Sequence, residues 1–78
     1  MFNFLWRNRR NANEIAIGQK YRRRDVPLVV WEVSSIFTGT DGIAYVSVFR
    51  TDDATMRKTL AKSALENTEN YILLNKTS

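Results

Sequence analysis

The segment Thr38-Gly39-Thr40-Asp41-Gly42 constrains this chain more than any other. Before it, Leu28 to Phe37 is rich in Val, Ile, Phe and Trp, side chains that suit a pleated, half-buried surface, and Ile43 to Phe49 repeats that composition. Two glycines that can supply positive φ, together with the hairpin dipeptide Asp41-Gly42, predict that residues 28–50 form a β-hairpin. The same glycines do not make a phosphate loop. The lysine-hydroxyl pair of such loops is missing, and the segment leads into a strand instead of a helix N-terminus.

The full sequence of 78 residues leaves room for one domain and one core. Residues 1–14 combine three aromatics, Leu5, three arginines and four asparagines without periodicity, which predicts an N-terminal arm followed by a single domain over 15–75. From Ile15 to Arg24, the residues Ile15, Ile17, Gln19, Tyr21 and Arg23 fall on one side of an extended chain. They suggest a first strand that stops before Asp25-Val26-Pro27.

The second half admits two readings. Asp52 to Asn67 fits a helix: Thr51 can cap it, acids occupy its first turn, and Met56, Leu60, Ala61, Ala64 and Leu65 share a face. Arg57 to Ala61 equally fits a short strand, followed by one helical turn around Ser63 to Asn67 and a last strand at Tyr71 to Leu74. Lys62, where a closed strand would place another apolar residue, keeps the helix reading open.

The run Gln19-x-Tyr21, Trp31-Glu32-Val33, Phe37-x-Gly39-x-Asp41-Gly42 and Lys58-Thr59-Leu60, continued by Ala64-Leu65 and Tyr71, resembles small uncharacterised bacterial domains of the SH3-like barrel type over residues 18–74. That resemblance implies a mainly β fold, a small five-stranded SH3-like barrel with one short helical turn before the last strand. The alternative is an α+β fold in which the hairpin is joined by a C-terminal helix at 52–67. The barrel reading gathers Trp31, Val33, Val46, Val48, Leu60, Leu65 and Ile72 into one core.

Composition narrows function by exclusion. Without cysteine or histidine the chain has no disulfides, no thiol nucleophile, no thiolate or imidazole zinc site and no imidazole base. The adjacent acids Asp52 and Asp53 diverge on a strand or a helix and so suit a turn, and no loop spacing supports a cation site built from them with Glu66. The expectation is a protein that is not an enzyme, with no cofactor and no metal. A chain free of cysteine also suits a reducing, cytoplasmic compartment. Met1 to Trp6 is too short for a transmembrane segment and its arginines follow the apolar run, so it is not a signal peptide either.

Charge is uneven. Residues 1–24 carry seven Lys/Arg against Glu14 alone, while 25–78 carry five against seven acids, so the net +4 arises in the N-terminal third. Guanidinium groups bind phosphates and carboxylates and stack on bases, which makes Arg22-Arg23-Arg24 the first place to look for an acidic partner. With Tyr21 inward, Arg23 shares its side at the rim, whereas Arg22 and Arg24 point to solvent.

The third strand is apolar on both faces, with Ile43, Tyr45 and Phe49 on one and Ala44, Val46 and Val48 on the other. Only one face can line a small interior. Tyr45 and Phe49 are therefore candidates to stack on the bases of a single-stranded nucleic acid, unless Phe2, Phe4 and Trp6 of the arm cover them or a homodimer does. These residues support a binding module, with nucleic acid the preferred partner and an acidic protein or peptide the nearest alternative. The arm offers a third reading, a membrane surface taking Phe2, Phe4, Leu5 and Trp6 with Arg7, Arg9 and Arg10 on anionic headgroups.

Overall fold

The computed structural model describes residues 14–75. Its elements are β1 (Lys20–Arg23), β2 (Val26–Thr38), β3 (Ala44–Arg50), β4 (Asp53–Ala61), α1 (Lys62–Glu66) and β5 (Tyr71–Leu73). The five strands form one antiparallel sheet in the order β4-β3-β2-β1-β5, with the short helix just before the last strand. Strand number, helix position and mainly β class agree with the expectation. The sheet is not closed into a barrel, because β4 and β5 remain its two unjoined edges. The arm contacts expected of Phe2, Phe4 and Trp6 lie outside the described residues.

The hairpin forms as expected, with Thr38 opposite Ala44 and Trp31 opposite Arg50. Only one of its glycines needs left-handed backbone: Gly42 has φ +83°. Gly39 serves another purpose, since a Cβ there would lie 2.8 Å from Cε2 of Tyr45. The turn depends on this pair for two different reasons, backbone sign at one end and close approach of a ring at the other.

Between Val33 and Ser35 the β2–β3 register slips by one residue. The bulge lets both Val33 and Ile36 share the side of Val48 and Val46, their partners on β3, whereas strict alternation would have turned one of them away. Ser34, the extra residue, donates its hydroxyl to the Ser47 carbonyl at 3.0 Å. A second slip, between Arg22 and Arg23, accommodates Pro27. Proline donates no N–H, so it lies within β2 where the β1–β2 ladder is interrupted, and it does not end a strand.

The first strand is shorter than the apolar alternation suggests. Ile15 is buried but Ile17 is 63% exposed, and Gly18 turns the chain with φ +94°. Gln19 holds this turn. Its Oε1 accepts from the Ala16 N–H at 2.8 Å and from the Tyr21 hydroxyl at 3.0 Å, while Nε2 donates to the Glu14 carbonyl at 3.2 Å. A buried amide with local partners thus bends the segment that alternation alone would extend.

The continuous helix at 52–67 does not form. Asp53–Ala61 instead pairs with β3 from Tyr45↔Ala61 to Phe49↔Arg57, and helix begins at Lys62. Tertiary pairing overrides the propensity that favoured helix here. Lys62 therefore sits at a helix start and not within a strand. The helix has no side-chain cap, and Leu65, 2% exposed, is its one buried residue, so burial of that side chain holds it.

The core consists of Ile15, Tyr21, Val33, Val46, Val48, Leu65 and Tyr71, with Trp31, Leu60 and Leu73 packed against it. Ile72 does not belong to it. Tyr71 and Leu73 point inward, and Ile72 between them faces the opposite side, opposite Arg22.

Candidate functional site

Residues opposite one another in an antiparallel ladder share a face, so the register fixes the composition of the side away from the core. On that outer face Phe37 pairs with Tyr45, Ser35 with Ser47 and Ser47 with Thr59. Glu32 pairs with Phe49 and Lys20, Phe49 with Arg57, and Arg22 with Val30 and Ile72. Aromatic rings thus occupy two neighbouring strands, flanked by cations on β1 and β4.

The Phe37 and Tyr45 rings stack, with centroids 5.7 Å apart and planes 28° from parallel. Tyr45 is held from both ends. Gly39 clears space for the ring, and the hydroxyl donates to Asp41 Oδ2 at 2.7 Å while Asp41 Oδ1 accepts the Ile43 N–H at 3.0 Å. The phenol hydrogen bond, then the backbone one, holds the Asp41 carboxyl below its usual range, and the same carboxylate raises the Tyr45 phenol. Phe49 lies four residues along β3 on the same side, roughly 13 Å away at strand rise. Bases stacked at ~3.4 Å cannot span the two platforms as neighbours, so a ligand using both must present splayed bases.

Of the cations on this face, Lys20 approaches Glu32 at 3.7 Å. Arg57 is exposed and has no ion pair among the described residues. Arg22 differs from its expectation. It is half-buried beside Val30 and Ile72, and its Nε is buried without a hydrogen-bond partner among the described residues. Apolar neighbours on both flanking strands cover its stem.

Arg23 and Arg24 lead elsewhere. Arg23, at the rim on the side of Tyr21, donates to Asp25 at 3.0 Å. Arg24 is exposed in the β1–β2 turn, where its Nε donates to the Thr68 carbonyl at 2.9 Å and its backbone N–H to Asn70 at 2.8 Å. The arginine run divides into one side chain on the outer face, one rim ion pair and one clamp on the loop preceding β5. Tyr45, Phe49 and Arg22 share a face; Arg24 serves that loop.

The acidic pair takes the turn role. Asp52 receives two hydrogen bonds from Arg50, at 3.0 and 2.8 Å, and Asp53 accepts the Thr55 hydroxyl and N–H at 2.6 and 3.1 Å. Those partners lower both carboxyls. Among the described residues no group of three or more carboxylates is placed to hold a metal ion, and no helix is long and apolar enough to cross a membrane.

Phe37 and Arg57 were not singled out from the sequence. Counting by twos from Val33 puts Phe37 on the core side, and only the bulge at Ser34 reverses it. Arg57 joins the face once 53–61 is a strand paired to β3. No family model matches this chain, and no curated protein or solved structure matches it.

Proposed function

We propose that this domain is a non-catalytic binding module whose outer sheet face takes single-stranded nucleic acid. The observation that carries the reading is the register that sets Phe37, Tyr45 and Phe49 between Arg22 on one side and Arg57 on the other, with Glu32 the single acid among these paired positions and already near Lys20. Aromatic faces accept any base and arginines hold the backbone, the combination that single strands need. A duplex would present phosphates and leave the rings unused. A preorganised Tyr45 ring, tied at its hydroxyl, loses little freedom on stacking.

The test is an NMR titration with a short single-stranded oligonucleotide at low salt. Resonances of Phe37, Tyr45 and Phe49 are expected to move, and those of α1 to stay. Replacing Arg22 and Arg57 together with glutamine should flatten the dependence of log affinity on log salt by about 1.4, since each lost single-strand contact contributes roughly 0.7. An acidic peptide of equal charge should compete poorly, because stacking adds roughly 1 to 3 kcal/mol per base that a peptide lacks. Equal competition would transfer the site to a protein partner. No shift with oligonucleotide at low salt would exclude nucleic acid.

A further inference from the structure

Along β3 the outer face has a period of its own. Tyr45, Ser47 and Phe49 follow one another on that face at every second residue, each with its own partners on the flanking strands. Tyr45 lies between Phe37 and Ala61, Ser47 between Ser35 and Thr59, and Phe49 between Glu32 and Arg57. An aromatic pair, a row of hydroxyls and a single ring beside a cation therefore succeed each other at steps of about 6.6 Å.

We propose, resting on the single-strand reading above, that this face takes three consecutive nucleotides lying along β3, with the first and third bases stacked on the rings and the middle base held off them over the hydroxyl row. Spacing carries this. The Phe37–Tyr45 pair and Phe49 stand roughly 13 Å apart, and a stacked step of ~3.4 Å falls far short. One backbone repeat cannot be drawn out that far. Two repeats cover the distance when each is extended to about twice the stacked rise, which parts the middle base from both neighbours. Three repeats of ~4.4 Å would place two bases between the rings, too far apart to stack and too close to stay clear of each other.

The chemistry of each row fits its place in that sequence. Phe37 is 44% exposed and keeps the aromatic pair open to solvent. In the middle row the hydroxyls of Ser47 and Thr59 lie 3.3 Å apart and exposed. A hydroxyl both donates and accepts, so the pair can hydrogen-bond a sugar, a phosphate or any base edge, but it offers no π face on which to stack. The middle nucleotide is therefore held without its base being read. At the third position Arg57 stands opposite Phe49, exposed and without an ion pair among the described residues, where the phosphate beside the third base would lie.

Thymidine oligomers of one to five nucleotides, titrated at low salt and followed by NMR, test this. The largest step in affinity is expected between two and three nucleotides, a rise of roughly 5- to 150-fold as the second base stacks. An abasic site in the middle of the trinucleotide should be tolerated, whereas one at either end should lose that same factor. Phe49→Leu, which keeps an apolar side chain but no ring, should erase the step between two and three and leave dinucleotide affinity in place. Equal gains at every length up to five, the mark of a continuous stack between the rings, overturn the inference and leave the single-strand reading standing. So does a central abasic site that costs as much as a terminal one. No binding at any length removes the single-strand reading itself, and the three-nucleotide site with it.

Discussion

Truncating Leu65 to alanine removes the one buried side chain of α1. The side chain is 2% exposed, sits against the valine core and lines a small cavity with Tyr21, Tyr71 and Leu73. The helix has five residues and no side-chain cap, so it cannot be stable by itself and cannot follow the truncation inward without losing its link to β5. The void should remain largely open. Leu→Ala at such sites costs about 2 to 5 kcal/mol, and the missing collapse places this one in the upper half. A domain of this size has roughly 5 kcal/mol to lose at the low end of the usual range, so most of its stability would go. Each kcal/mol moves Tm by roughly 4 to 8 °C in a small domain, giving a fall of at least about 14 °C in a calorimetric scan. Leu28→Ala is the control: at 93% exposure it should change stability by no more than about 0.5 kcal/mol. Equal Tm shifts for the two variants, or an unchanged Tm for Leu65→Ala, would refute the placement of α1 over the core.

Other perturbations test the turns and the face. Gly42→Ala, at φ +83°, should destabilise by about 1 to 2 kcal/mol in urea titration, whereas Gly39→Ala should chiefly displace the Tyr45 ring it crowds, read from ring NMR shifts. Tyr45→Phe removes the main cause of the lowered Asp41 pKa, so that carboxyl should titrate nearer its usual value when followed by NMR. Asp41, Asp52 and Asp53 all titrate below their ordinary range in the folded chain. Their contribution is therefore complete above the ordinary aspartate value and is lost as pH falls through the lowered folded values, so Tm should decline on the acid side and not change through them near neutrality.

Local chemistry makes the hairpin legible in the chain itself: Asp41-Gly42 requires a turn, and the runs on either side can be nothing but half-buried strands. The helical turn before the last strand is one of two readings that patterning allows for the second half, and the count of five strands comes from the resemblance to SH3-like barrels. Alternation also separates Val46 and Val48 from Tyr45 and Phe49. The remaining features depend on contacts between segments far apart in sequence. Residues 52–67 carry a helical face and a strand pattern at once, and pairing with β3 selects the strand up to Ala61. Phe37 changes sides because one extra residue enters β2 opposite Ser47. Alternation separates Arg23 from Arg22 and Arg24, but the three acquire their separate roles only because β5, Asp25 and Thr68 reach them from different directions. Side-chain facing accumulates along a strand one residue at a time, so a single bulge reverses everything beyond it, and its presence is decided by the partner strand.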